Sequence, residues 1–131
     1  MKIYIASPFF TEKERTRYRA MIAGLKAAYP NDEFYIPADH EIEGGWKLPN
    51  RAWGRLVFNN DVQAIDNSDL VIVLDWGMYS DTGTAWECGY AYAKGKRVLV
   101  YNVNFEEDIP HSLMVVNGCT EFFGGIEVEQ K

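Results

Sequence analysis

Asp69-Leu70-Val71-Ile72-Val73-Leu74, then after a short connection Asp81-Thr82-Gly83-Thr84-Ala85-Trp86-Glu87-Cys88-Gly89-Tyr90-Ala91 and the stop signal Lys94-Gly95-Lys96, decides the fold. The first piece is near-continuously apolar, as a strand buried on both faces requires. The second reads as a helix of small and aromatic residues. A strand of this kind feeding straight into a helix belongs to a parallel α/β sheet, whose ligands sit just beyond the carboxyl ends of the strands. Glu87, read as lying in the first turn of the helix, is therefore placed to face one.

The same alternation runs outward in both directions. Lys2 to Ala6 reads as the first strand, and about Thr11 to Tyr29 as a helix with Tyr18, Met21, Ile22 and Leu25 at helical spacing. Phe34 to Ile36 is a short strand stopped by Pro37, and Ala38 to Pro49, with Gly44-Gly45, is a loop. A helix from roughly Arg51 to Asp66 precedes the central strand, Arg97 to Tyr101 forms another strand, and a last helical turn falls near His111 to Val116. These elements predict one α/β domain over residues 1–131, flavodoxin-like or Rossmann-like, with a parallel sheet and helices on both faces. Neither G-x-G-x-x-G after the first strand nor GxxxxGK[ST] occurs, so a dinucleotide fingerprint and a P-loop are both missing.

At 131 residues, with 47% hydrophobic and 15% aromatic residues, the chain can bury a substantial core. No apolar run approaches a membrane span or a secretory segment, so a cytoplasmic protein with no membrane partner is expected. A net charge of −6 argues against a nucleic-acid polymer and leaves small molecules as substrates. Cys88 and Cys119 form no CxxC pair and are expected to stay reduced. His40 and His111 are the only histidines and lack metal-ligand spacing, so no metal is expected.

Glu87 has two readings. Thr84-x-x-Glu87 is a capping box, in which the carboxylate bonds back to the Thr84 amide. Alternatively Asp81 supplies a second carboxylate in the same loop, Trp86, Cys88 and Tyr90 make the setting water-poor, and the helix N-terminus keeps Glu87 ionised as a nucleophile. Asp61 is the next polar residue out of pattern: Trp53, Val57, Asp61 and Ile65 follow at steps of four, which sets a carboxylate on a buried stripe. Either it reaches water or a neighbouring loop, or Asn60 and Asp61 project into the same cavity as Glu87. Tyr4, inside the first strand, needs a partner for its hydroxyl and is either a core tyrosine or the residue that orients a carboxylate.

Lys2-Ile-Tyr-Ile-Ala-Ser-Pro-Phe-Phe-Thr11, then Asn59-Asn60-Asp61, then Asp81-Thr-Gly-Thr-Ala-Trp-Glu87-x-Gly89, resembles the nucleoside 2-deoxyribosyltransferase family in order and separation, over nearly the whole chain. The resemblance implies a flavodoxin-like fold, with Glu87 as the nucleophile at the sugar C1′ and Tyr4 holding it. It implies that Asp61 and Asp81 bind and protonate the base, that Phe9 and Phe10 line the base pocket, and that a neighbouring subunit completes the site. That makes a homodimer or higher homo-oligomer with shared active sites. Nucleosides or nucleotides and free bases would be the substrates, with no cofactor, in nucleotide salvage. The chain departs from the pattern near its end, where Asn-Leu-Met of the transferases is replaced by Ser112-Leu113-Met114, and where the longer aromatic tail gives way to Gly124 to Lys131. Serine at that place resembles related nucleotide N-glycosidases, which use it to hold a 5′-phosphate. Ser112 and Met114 are thus the candidate contacts across the subunit boundary. Transfer of a 2-deoxyribosyl group through a glycosyl-Glu87 ester is the expected reaction. Hydrolysis of the N-glycosidic bond, and a non-catalytic nucleotide-binding sensor in which Glu87 only caps its helix, are the alternatives.

Overall fold

Strand β3, Leu70–Asp75, is buried along its whole length at the centre of a five-stranded sheet. A computed structural model describes residues 1–8, 11–40, 42–77, 81–104 and 109–124 of the chain. The other strands are β1 (Lys2–Ala6), β2 (Glu33–Tyr35), β4 (Arg97–Asn102) and β5 (Glu121–Phe123). Their order is β2-β1-β3-β4-β5 and every pair is parallel. This is the flavodoxin order, in which the chain steps outward from β1 to β2 and then returns to the other side of β1, opening a crevice between β1 and β3.

Alternate residues of each strand feed two apolar layers. Ile3, Ile5, Ile72 and Leu74 pack with Tyr18, Ile22 and Leu25 of helix α1 (Glu12–Ala28) on one face. Tyr4, Ala6, Val71 and Val73 pack on the other with Ile65 of α2 (Asn50–Asp66), Cys88 and Ala91 of α3 (Thr82–Ala93) and Val115 of α4 (Leu113–Asn117). Each fully buried aliphatic side chain stabilises the fold by roughly 1.5–3 kcal/mol, so burial on two faces explains why the central strands read as continuous apolar runs. Helices do cover both faces. Gly95, at φ +76°, closes α3 in the left-handed conformation: Lys96 N–H donates to Ala91 O and Gly95 N–H to Tyr92 O, satisfying the last carbonyls.

Three sequence expectations are corrected. Strand β5 has no signal in the sequence because it is three residues long and only Phe122 is buried. The expected loop from Ala38 to Pro49 contains two single 3-10 turns, Pro37–Asp39 and Gly45–Lys47. Most consequential is the start of α3. Asp81 is its N-cap and accepts from the Thr84 amide at 2.8 Å and from the Thr84 hydroxyl at 3.0 Å. Glu87 is consequently the sixth helical residue, one turn deeper than the capping-box reading requires.

Candidate active site

With capping assigned to Asp81, the Glu87 carboxylate points elsewhere, and its partner is the Tyr4 hydroxyl, which donates to Glu87 Oε2. Tyr4 is fully enclosed in β1, and Glu87 reaches it from α3 across the crevice mouth. The ring of Tyr4 stacks on Tyr35 at 5.6 Å, and Tyr35 stacks on His40 at 4.0 Å. Three aromatic rings in a row therefore brace the hydroxyl that holds the carboxylate.

A cleft of about 890 Å³ opens above this pair. Ser7 and Pro8 line it where the chain leaves β1, Val57 and Asp61 from α2, and Asp81 and Glu87 from the α3 side. Trp53, Phe58 and Trp86 form its apolar rim. Phe58 lies 5.2 Å from Trp86, and Trp86 stacks on Tyr90 at 5.2 Å. Such a mixture, mostly apolar walls with a few convergent carboxylates, suits a flat ring attached to a polar group.

Burial pushes Glu87 up from 4.5 to about 7, with the Asp61 and Asp81 charges adding to the rise and the Tyr4 hydrogen bond working against it. The expectation that the helix N-terminus keeps this carboxylate fully ionised is thus overturned: desolvation outweighs the helix dipole for a group a full turn inside the helix. Asp61 is also raised, chiefly by burial, with the nearby His40 charge opposing. The Tyr4 hydroxyl is raised beyond any physiological pH by burial and then by Glu87, so it stays a donor. The site thus pairs a carboxylate poised near neutrality with a neighbouring one of raised pKa, an arrangement suited to one nucleophile and one acid.

A model of the nucleoside 2-deoxyribosyltransferase family matches residues 3–131. The chain belongs to that family. Deoxyribosyl transfer is accordingly its class of reaction, and it is a pentosyltransferase. It is 27% identical over 120 residues to a nucleoside deoxyribosyltransferase of Lactobacillus leichmannii, across 86% of this chain and 76% of the relative. The solved structure of a 2-deoxyribosyltransferase from Bacillus psychrosaccharolyticus matches with a TM-score of 0.71 at 29% identity, covering 95% of this chain and 86% of that one. A CMP N-glycosidase of Clostridium botulinum shares the fold, with a TM-score of 0.60 at 19% identity over 90% of this chain and 80% of that one.

Within this nucleoside 2-deoxyribosyltransferase fold the structure gathers Tyr4, Asp61, Asp81 and Glu87 around one cleft. Asn60 does not join them: it is exposed and lines two neighbouring clefts beside His40, because it sits one residue, about 100° of helix, away from Asp61. The α2 stripe is buried only at Ile65. Trp53 is 45% exposed and Asp61 partly buried, so its outer part faces the cleft rather than the core. Ser112 and Met114 lie away from the chain's own cleft, with Ser112 at the N-cap of α4. Phe9 and Phe10 lie outside the described residues. Tyr35 and His40 were not singled out by their spacing. The available signal was a histidine only five residues beyond a tyrosine in a short strand that abuts the first.

Proposed function

We propose that the enzyme works by double displacement at the anomeric carbon, with Glu87 forming the bond to C1′ as the base departs and an acceptor base then breaking it. The observation that carries this is the Tyr4–Glu87 hydrogen bond at the floor of the cleft, which leaves Oε1 of the same carboxylate for the sugar. Asp61, whose raised pKa favours the protonated form, supplies the proton to the departing base. Asp81 is committed to the α3 cap through Oδ2 and serves the site by its charge and by fixing where α3 begins. Phe9 and Phe10 cover the base, as the family resemblance implies.

Nucleosides are the favoured substrates over nucleotides. Three carboxylates line the cleft, and no Lys or Arg does among the described residues, a setting that repels a 5′-phosphate. A polymer of phosphates is disfavoured on the same ground, with a net charge of −6. Both cysteines are buried thiols, which fits a reducing cytoplasm.

The working unit is a homo-oligomer, a dimer at least, built from residues 1–131 as one catalytic domain. Leu113 and Met114, adjacent on α4, are 70% and 74% exposed, an apolar pair suited to an intersubunit contact. Placing Ser112 and Met114 of one copy over the cleft of another would cover the glycosyl ester and keep water from it.

Quenching the wild-type protein with a slow 2′-fluoro deoxynucleoside and mapping the adduct tests the nucleophile. A sugar mass on the peptide containing Glu87 is expected, and an adduct elsewhere overturns the assignment. Supplying a second free base should yield the exchanged nucleoside. Free deoxyribose as the main product would instead make water the acceptor.

A further inference from the structure

We infer that Asp75 and His111 form a positioning pair that holds Ser112 and Met114 at the angle from which they reach a neighbouring subunit's cleft. The inference rests on the shared-site reading above. Asp75 ends β3 and is 5% exposed, and its Oδ2 meets His111 Nδ1 at 2.5 Å. Neither residue lines the cleft above Glu87.

A buried pair of this kind is a poor device for stability, since apolar side chains of similar size commonly do as well or better. What it supplies is direction. The His111 ring also packs edge-on against Phe122 of β5, centroids 5.1 Å apart at 69°, so it is gripped from two strands. Two residues earlier the chain passes Gly77, at φ +122°, where an added Cβ would stand 2.8 Å from Ile109 Cγ2. One turn later Val115 is buried in the layer beneath α4. Ile109, His111 and Val115 are therefore tied to the sheet, while Leu113 and Met114 between them stand bare. A segment so mounted loses little freedom when it inserts into another copy, which is where a pre-set geometry raises affinity and rate.

The test is subunit complementation. His111→Ala alone is expected to lower kcat/KM by about tenfold or more, since small misplacements of positioning groups carry that order of loss. His111→Asn, which can still donate a hydrogen bond, should recover most of it. His111→Phe keeps the bulk against Phe122 and covers the case in which the alanine variant does not fold. Glu87→Ala is then refolded together with His111→Ala. A mixed dimer has one cleft with both an intact nucleophile and an intact facing segment, so random reassortment should restore about a quarter of wild-type activity. The control mixes Glu87→Ala with a Ser112→Ala/Met114→Ala double variant. Recovery in the control without recovery in the His111 mixture overturns the positioning role alone. Recovery in neither overturns the shared site, and the inference with it.

Discussion

Tyr4, at the floor of the cleft, is wholly enclosed by the core of its own chain, whereas Trp53, Phe58 and Trp86 at the rim remain 45%, 51% and 48% exposed. The two regions are built on the same helices and strands, a few residues apart, yet they solve different problems. The floor must fix one oxygen of Glu87 and tune its proton, and buried hydrogen bonds and stacked rings do that within a single chain. The rim must enclose a substrate that comes and goes, and a small domain has too little surface to close over its own crevice. Chemistry is therefore expected to follow the floor at any protein concentration, and enclosure to follow association.

The sharpest break of that comparison is Glu87→Ala. Turnover should fall by roughly 10⁴-fold or more, toward background, at every protein concentration, because nucleophile and leaving-group activation act as a unit. A residual rate that rises with concentration would mean that a neighbour supplies the nucleophile. Asp61→Asn comes next, with a loss of about 10²–10³-fold in kcat for a departing base that needs a proton. Its second signature is the loss of the basic limb of kcat/KM, because asparagine has no proton to give up as pH rises.

Tyr4→Phe should cost about tenfold near neutrality and move the acidic limb of kcat/KM upward from near pH 7, because the hydrogen bond that lowers the Glu87 pKa is gone. An unmoved acidic limb in the Phe variant would show that Glu87 does not govern the profile. The smallest expected effect is on stability. Glu87 rises from 4.5 to about 7 on folding, so between those values the native state holds a proton that the unfolded chain has released. Stability is then lost as pH rises through that window, and Glu87→Gln should be the more stable protein at pH 8 by on the order of 2 kcal/mol. At pH 4 the two should melt together. On the exposed face of α4, Leu113→Asp should leave a concentrated sample active and a dilute one inactive, read by light scattering alongside the assay.

The difference between floor and rim also explains what the sequence made legible. Strands β1, β3 and β4 and helix α3 are written in local patterns, apolar runs and the Lys94-Gly95-Lys96 stop, that need no partner to interpret. Tyr4 and Asp61 stood out for the same reason, as polar groups in apolar stripes. The cap of α3 was misplaced because Asp81-Thr82-Gly83-Thr84 and Thr84-x-x-Glu87 are both acceptable caps locally, and only the reach of Glu87 to β1 separates them. The Asp75–His111 bond joins residues 36 positions apart, and nothing in the spacing of either announces the other. A carboxylate closing an otherwise apolar strand was the one visible sign.

Trp86 has a use beyond walling the cleft. Its indole is half exposed at the rim, stacked on Tyr90 and within 5.2 Å of Phe58, while Trp76 lies against Tyr18 on the opposite layer. Light absorbed by Trp86 is thus emitted from the very surface that a base or a second copy would cover, and exclusion of water there shifts emission to the blue. With the 83% exposed Trp46 replaced by Phe, the rim indoles of Trp53 and Trp86 become an optical reporter of occupancy, with Trp76 as an internal reference.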